Sequence, residues 1–226
     1  MTILELFAGS RSVGKIADKR GHEVFSVDIN DFENIDLVID ILNLDFNCLM
    51  ENLFKKGIDN IDMIWASPPC TYFSVASIGH HWHENHQPKT PEALIGMEIL
   101  NKTLKIINWF PCSVFYLENP TGKMRRKIKG IDRRKITYCS YQDTRMKPTD
   151  IWSNNFYDMF NLEGWKPKEP CFAGNKKCHH EEAPRGSQTG TQGLKNNYER
   201  SKIPEALCLE IIKATEFKTK IKIRWQ

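Results

Sequence analysis

Short apolar runs alternate with segments of helical periodicity along the first half of the chain. Five runs are predicted to be β-strands: Thr2–Phe7, Glu23–Asp28, Leu37–Asp40, Asp62–Ala66 and Val114–Leu117. Helices are predicted at Val13–Arg20, Phe46–Lys56, Pro91–Asn108 and Ile203–Phe217. Strands that alternate with helices are typical of a parallel sheet, so we expect a doubly wound α/β domain with a mostly parallel sheet.

The second half of the chain is less regular. Residues 123–135 form a basic run, and residues 163–197 are rich in Gly, Pro, Lys, His and Cys. We expect the main α/β domain to span residues 1–152 and a small separate segment to span residues 153–197. A helix within residues 198–226 is then expected to pack back on the main domain.

The composition is that of a soluble globular protein. Hydrophobic residues make up 40% and charged residues 27% of the chain, which argues against a disordered polypeptide. No apolar stretch approaches the roughly 18 residues that cross a membrane. No basic leader precedes the first strand, so a cytoplasmic location and no membrane partner are expected. The formal charge of +4 permits a polyanionic partner without requiring one.

The seven cysteines are scattered along the chain. In a cytoplasmic protein an odd, scattered set indicates free thiols, a metal site or a catalytic thiol rather than a disulfide framework. Cys171, Cys178, His179 and His180 offer the ligands that zinc prefers, and Cys139 could complete a set. Such a zinc ion would staple a segment too small to have its own core. Because the spacing is not a standard one, a polar loop with incidental Cys and His is the alternative.

A tight turn with an acid opposite it follows the first strand. In Leu6–Ser10 the backbone N–H groups can meet an anionic group at a helix N-terminus. Asp28 ends the next strand and can accept hydrogen bonds from ribose hydroxyls. Because any doubly wound fold contains such turns, a purely structural turn is equally compatible with these residues.

Two reactive side chains follow later strands. Cys70 ends the sequence Ser67-Pro68-Pro69-Cys70, and a cysteine held by two prolines at the carboxyl end of a parallel sheet is a candidate nucleophile. Glu118 ends the fifth strand and could hold N3 of a pyrimidine. Taken singly, each has a simpler interpretation, as a buried free cysteine and as a surface glutamate in a turn.

Polar and basic loops follow Glu118. In Gln142–Lys147, Arg145 could contact a base edge and Lys147 a phosphate, although a solvated loop would have the same composition. The basic run of residues 123–135 could grip phosphates near the site, whereas most charge runs are solvated faces. The four histidines within residues 80–86 could bind a metal, but flexible loops rich in His usually do not.

In this order and spacing the motifs resemble the cytosine-C5 DNA methyltransferase family. That family has a Phe-Ala-Gly turn, an acid after each of the next two strands, a Pro-Cys nucleophile followed by Phe-Ser, a Glu-Asn pair and a Gln-x-Arg-x-Arg element. The matching residues here are Phe7-Ala8-Gly9, Asp28, Asp40, Pro69-Cys70, Phe73-Ser74, Glu118-Asn119 and Gln142–Lys147. The resemblance covers most of residues 1–152 and, weakly, residues 190–215.

The resemblance implies a Rossmann-like methyltransferase with S-adenosylmethionine (SAM) as cofactor and DNA as partner. Cys70 would attack C6 of a flipped cytosine, Glu118 would bond N3 and the amino group, and Arg145 would contact O2 or a phosphate. Asp28 would bind the ribose and Asp40 the adenine amino group. The full set implied at the SAM site is Phe7, Ala8, Gly9, Ser10, Asp28, Ile29, Asp40, Ile41 and Pro68.

Three features depart from the family pattern. Pro120 follows the Glu-Asn pair where Val is usual, and Lys147 stands in place of the second Arg. Only a short stretch separates Asp150 from the closing helix, where restriction-type relatives carry a separate target-recognition domain. We therefore expect a small recognition segment, with specificity that is relaxed, supplied by a partner or directed at an unusual substrate.

Other functions fit some of these residues. Cytosine methylation in RNA would need the same thiol and acid, and a free nucleotide would suit the small recognition segment but leave the basic run unexplained. An exocyclic amino methyltransferase usually carries an aromatic residue where Cys70 stands. A catalytically silent nucleic-acid-binding module would have little reason to keep both Cys70 and Glu118.

Overall fold

A single sheet of seven strands runs through the computed structural model, which describes residues 1–172, 174–182 and 196–224. The strands are β1 (Thr2–Leu6), β2 (Glu23–Asp28), β3 (Leu37–Val38), β4 (Met63–Ala66), β5 (Val114–Pro120), β6 (Arg133–Thr137) and β7 (Pro148–Ser153). Their order in the sheet is β3-β2-β1-β4-β5-β7-β6. The first five pair in parallel, and β7 is antiparallel to both of its neighbours.

Helices connect the strands and cover both faces of the sheet. They are α1 (Ser12–Lys19), α2 (Phe46–Lys55), α3 (Ile78–His81), α4 (Pro91–Trp109), α5 (Asn197–Ser201) and α6 (Glu205–Arg224). Along β1, Leu4 and Leu6 pack into one core with α2 and α4, while Ile3 packs into the other with α1 and α6. The doubly wound α/β fold predicted from the sequence is therefore confirmed.

The sequence pattern did not predict β6 and β7. Strand β6 begins inside the basic run, so its exposed face reads as a charge cluster rather than as an alternating strand. Strand β7 begins at Pro148 and contains Asp150, which is fully buried. The strand therefore lacks the continuous apolar run that is typical of a central strand. Both strands form because their long-range pairing and ion pairs compensate for weak local preference.

A buried carboxylate caps the first helix of the fold. Arg11, at the N-cap of α1, has a left-handed backbone and makes no side-chain cap. Instead Glu5 accepts hydrogen bonds from the N–H groups of Val13 (3.1 Å) and Gly14 (3.2 Å). A Cβ on Gly14 would lie 2.5 Å from Glu5 Oε2, so this approach requires glycine. Burial raises the pKa of Glu5 to about 7, against the opposing effect of these N–H groups and Arg11.

The raised pKa of Glu5 predicts a loss of stability with rising pH. Because the folded state holds this proton more tightly than the unfolded state, the contribution is complete below pH 4.5 and is lost as the pH rises through about 7. Its full size is on the order of 3 kcal/mol. Glu5→Gln should therefore lose less unfolding free energy between pH 5 and pH 8 in urea titrations than the unsubstituted protein. Glu23→Gln, an exposed control, should lose as much unfolding free energy over this range as the unsubstituted protein. Equal dependence of the unfolding free energy on pH in all three proteins would contradict the prediction.

Candidate active site

The carboxyl ends of β1, β2, β4 and β5 meet at one edge of the sheet. Because the chain winds outward from β1 on one side and from β4 on the other, the topological switch point lies between these two strands. Open parallel sheets form their binding crevice at this point. The turn after β1, residues 7–11, and the turn after β4, residues 67–70, therefore lie side by side.

A cleft with about 370 Å³ of empty space, open to solvent, lies at this edge. The lining residues are Phe7, Val27, Asp28, Ile29, Ile39, Asp40, Ile41, Pro69 and Ile99. Five residues predicted at the SAM site line it: Phe7, Asp28, Ile29, Asp40 and Ile41. Ala8, Gly9 and Ser10 form the adjacent turn without lining the cleft, and Pro69 lines it rather than the predicted Pro68.

The two acids of the cleft are fixed by backbone groups. Phe7 and Gly9 have left-handed backbones, with φ of 57° and 49°, which turns the chain so that Gly9 N–H donates to Asp28 Oδ2 at 2.9 Å. The N–H of Asn30 donates to the other oxygen of Asp28 at 2.9 Å. Asp40 caps a short 3-10 turn through Oδ1, which accepts from the N–H of Leu42 at 2.9 Å. Both carboxylates are thereby held in one orientation at the rim.

Cys70 lies half-buried in a loop that is tied to the neighbouring strand. Asn119 on β5 donates from Nδ2 to the carbonyl oxygen of Pro68 at 2.8 Å. The carbonyl oxygen of Cys70 accepts from the N–H groups of Phe73 and Ser74, at 3.0 and 2.9 Å. The thiol is thus held at the strand edge by bonds on both sides of the turn.

Glu118 is buried next to this loop and has two polar partners. Tyr138 donates from its hydroxyl to Glu118 Oε1 at 2.9 Å. Lys147 Nζ lies 3.7 Å from the same oxygen and 3.2 Å from the Tyr138 hydroxyl. The ammonium group also lies 4.4 Å from the centre of the Tyr138 ring. Acid, phenol and ammonium therefore form one connected group beside Cys70.

Opposing influences act on the thiol of Cys70. Burial raises its pKa most, the ammonium of Lys147 lowers it, the carboxylate of Glu118 raises it, and Arg200 on α5 lowers it. The net direction is upward, so the resting thiol is predominantly protonated at neutral pH. Lys147 is the strongest of the favourable charges and counteracts the burial.

The structure places Arg145 in a different role from the predicted base contact. Its five N–H donors are engaged: Nε and Nη2 donate to Asp143, and Nη1 and Nη2 donate to the carbonyl oxygens of Glu199, Arg200 and Lys202. No donor remains for a base or a phosphate. The guanidinium instead ties the loop after β6 to the chain that leads into α6.

Part of the basic run serves internal contacts rather than a free basic surface. Asp150, with no exposed surface, accepts from Arg125 at 2.9 Å and from Arg133 at 2.6 Å. These two arginines compensate the buried charge, which would otherwise be costly. The basic residues of the run that remain exposed are Arg126, Lys129, Arg134 and Lys135.

The loop after Cys70 is closed against the same run. Trp82 is buried and donates from Nε1 to the carbonyl oxygen of Tyr72 at 2.6 Å. The ammonium groups of Lys123 and Lys127 lie 5.9 and 4.7 Å from its ring centre. They also contact His86, through Nδ1 at 2.9 Å and through the carbonyl oxygen at 2.7 Å. These contacts hold residues 78–89 next to the active-site edge.

Three of the four predicted metal ligands lie together, and a fourth residue joins them. Cys139, Cys171, Cys178 and His180 bring their ligand atoms within 4.8 Å of one another. His179 lies outside this group, because its Nε2 lies 3.1 Å from the carbonyl oxygen of Asp143. The four histidines within residues 80–86 belong to no such group in the described part of the chain.

Comparison with known proteins identifies the family. Over 229 residues the chain is 30% identical to the "Probable DNA (cytosine-5)-methyltransferase" of Frog virus 3 (isolate Goorha), which covers 94% of this chain and 99% of the viral protein. The chain belongs to the cytosine-5 DNA methyltransferase family. No protein-family model matches the sequence. None of the described helices is long and apolar enough to cross a membrane.

Solved structures similar to this methyltransferase are more distant. A prophage-encoded E. coli protein assigned as a DNA modification methyltransferase is 17% identical, with a TM-score of 0.49, over 68% of this chain and 46% of that one. The Entamoeba histolytica methyltransferase EhMeth is 11% identical, with a TM-score of 0.46, over 74% and 57%. The chain thus spans about half the length of these two proteins. The fold assignment given above rests on the strand order of this chain.

Two residues of the site were missed or under-rated in the sequence. Tyr138 follows β6 directly, but without that strand nothing in the pattern pointed to it. Lys147 was predicted to contact a phosphate and was noted as a substitution for the second Arg of the Gln-x-Arg-x-Arg element, but its contact with Glu118 was not predicted. The available signal was that this position carries a cation, as the second Arg of the motif does.

A close backbone contact that supports the Cys70 loop gives a testable prediction. A Cβ on Gly122 would lie 2.1 Å from the carbonyl oxygen of Phe73, so Gly122→Ala must push this loop away from the end of β5. We expect a loss of about 1–3 kcal/mol in unfolding free energy and faster alkylation of Cys70 by iodoacetamide, followed by peptide mass spectrometry. Gly79→Ala, where a Cβ meets nothing within 4 Å, is the matched control; identical behaviour of the two variants would contradict the prediction.

Proposed function

We propose that this methyltransferase transfers a methyl group to C5 of cytosine in DNA, with Cys70 as the nucleophile that adds to C6. The observation that supports it best is the arrangement at the switch point. Cys70 follows β4, Glu118 lies near the end of the adjacent parallel strand β5, and Asn119 on β5 fastens the turn after β4.

The cleft fits the cofactor that the family implies. Asp28 and Asp40 stand at its rim as acceptors for ribose hydroxyls and an adenine amino group, and its walls are apolar. Ile29 lies at its edge with 61% of its surface exposed, as expected of a residue that a purine ring would cover. When bound, SAM would supply an electrophilic methyl group beside Cys70.

Cys70 would act first, as a thiolate. Its sulfur forms a bond to C6, and the electron pair of the C5–C6 double bond moves into the ring, making C5 nucleophilic. C5 would then take the methyl group of SAM, whose bond to the sulfonium sulfur breaks and leaves its electron pair on that sulfur. The C5 proton would pass to a solvent base, the double bond would re-form, and the thiolate would leave. Cys70 is thus regenerated in the form in which it entered.

Glu118 and Lys147 would stabilise the charge that builds up in the ring. The carboxyl group of Glu118 can contact N3 and the 4-amino group of cytosine, and Tyr138 orients it through Oε1. The ammonium group of Lys147 lies 3.7 Å from the same Glu118 oxygen and lowers the pKa of Cys70. It therefore favours the thiolate and offers a positive charge near the ring, the task predicted for Arg145.

Covalent trapping tests the nucleophile and the substrate class together. In 5-fluorocytosine, fluorine replaces the hydrogen at C5, so the elimination that releases Cys70 is blocked. After incubation with SAM and a DNA duplex that contains this base, the Cys70 adduct should therefore persist through denaturing electrophoresis. Transfer of tritium from labelled SAM to ordinary duplex DNA is measured alongside. Cys70→Ser should abolish both signals, and Cys48→Ser, a matched cysteine on α2, should keep both.

The outcomes separate the alternatives. Label in single-stranded RNA but not in DNA would keep the mechanism and overturn the substrate. Label in DNA that survives Cys70→Ser would overturn the nucleophile. If the protein binds SAM but labels neither polymer, the enzymatic proposal fails.

Lys147 generates a separate prediction on pH dependence. Because its ammonium lowers the pKa of Cys70, Lys147→Met should raise that pKa, and the rate should then rise at a higher pH than in the unsubstituted enzyme. At neutral pH we expect roughly tenfold slower transfer or more. Lys147→Arg keeps the charge and should stay close to the original profile. The measurement is kcat/KM for DNA against pH; an unshifted profile for Lys147→Met would refute this role.

A further inference from the structure

We propose that Cys139, Cys171, Cys178 and His180 form a structural zinc site, which fastens the segment of residues 166–182 to the turn behind the active site. Their four ligand atoms lie within 4.8 Å of one another. In a tetrahedral zinc site, bonds of about 2.3 Å to sulfur and about 2.0 Å to nitrogen place the ligand atoms about 3.5–3.8 Å apart. The separation of Cys171 Sγ and His180 Nδ1, 3.7 Å, already has this value.

The donor set favours zinc over other ions. Three thiolates and one imidazole are soft and borderline ligands, which disfavour magnesium and calcium. Four protein ligands also leave no open position for a substrate or a water, so the site would be structural rather than catalytic. Zinc needs no redox change to bind there.

The surroundings support the cysteines as ligands. Asn175 donates from Nδ2 to Cys171 Sγ at 3.3 Å, a bond that suits a thiolate. The N–H of Cys178 donates to the carbonyl oxygen of Asn175 at 3.1 Å, which closes residues 175–178 into a turn. The N–H of Cys171 donates to Thr137 Oγ1 at 2.8 Å and holds this loop against the end of β6.

The segment has reason to need a metal. Its described residues, 166–172 and 174–182, form neither helix nor strand, and Phe172 is 65% exposed. A segment that has no core of its own commonly depends on a metal ion or a disulfide in addition to its surface contacts. The ligands come from both sides of the contact, since Cys139 is buried in the turn of residues 138–141 and the others lie on the segment.

The site would act on the catalytic group through a neighbouring residue. Cys139 directly follows Tyr138, whose hydroxyl donates to Glu118. His179 and Glu181, on either side of His180, contact the carbonyl oxygens of Asp143 and Thr144. A zinc ion would therefore fix the loop between β6 and β7, which also contains Lys147. This inference is independent of methyl transfer.

Metal analysis of the full chain tests the proposal directly. The protein is expressed without a polyhistidine tag, dialysed against metal-free buffer and assayed by inductively coupled plasma mass spectrometry. We expect about one zinc ion per chain. After exchange with Co²⁺, the absorption spectrum should show tetrahedral d–d bands and thiolate-to-cobalt charge transfer. A chain purified without zinc that gives neither band overturns the proposal.

Paired variants locate the site. His180→Gln should lose the zinc and His179→Gln should keep it, because only His180 belongs to the ligand group. Cys178→Ser should lose the zinc, and Cys48→Ser should keep it. His180→Cys keeps four ligands and should retain the metal, which guards against a variant that fails simply because it misfolds. Zinc retained by both His180→Gln and Cys178→Ser would refute the assignment, as would a mass two hydrogens low that marks a disulfide among these cysteines.

Discussion

The parallel pairing of β4 with β5 is the constraint on which the active site depends. It sets Ala66 opposite Leu117, so the residues that follow both strands emerge together at one edge of the sheet. Asn119 then bonds the carbonyl oxygen of Pro68 and fixes the distance between the two turns. The thiol of Cys70 and the carboxyl group of Glu118 are far apart in sequence. The paired strands hold them close together, and paired strands position side chains more rigidly than flexible loops do.

Burying ionisable groups at this edge of the sheet is costly, and nearby opposite charges compensate for the lost solvation. The thiol of Cys70 loses solvation, and Lys147 restores part of what is needed to ionise it. Asp150 on β7, the strand next to β5, is fully buried and is neutralised by two arginines of the basic run. Charges that look like a nucleic-acid surface in the sequence are thus partly used to keep the sheet edge intact. The exposed remainder of the run is the part left for a polyanion.

The described part of the chain between β7 and α6 is held to the sheet by contacts near both of its ends. Trp165 is buried in the core next to Tyr116, with ring centres 6.0 Å apart. Arg145 bonds three carbonyl oxygens just before α6 and so fastens the return of the chain. Between these anchors the Cys and His ligands converge on Cys139. Packing of Trp165, the bonds of Arg145 and the proposed metal site therefore fasten this part of the chain to the sheet.

The sequence by itself determined the layout of the catalytic half. Asp28, Asp40, Cys70 and Glu118 each follow a strand that the apolar pattern predicts, and parallel strands must end at the same edge, so local information was sufficient. Only the tertiary structure decided the strands β6 and β7, the contact of Lys147 rather than Arg145 with Glu118, and the grouping of Cys139 rather than His179 with Cys171, Cys178 and His180. These features depend on which partner a polar side chain finds across a long stretch of chain. Hydrophobic periodicity holds no information on that choice, because charge pairing and metal ligation depend on distance in space rather than on spacing in sequence.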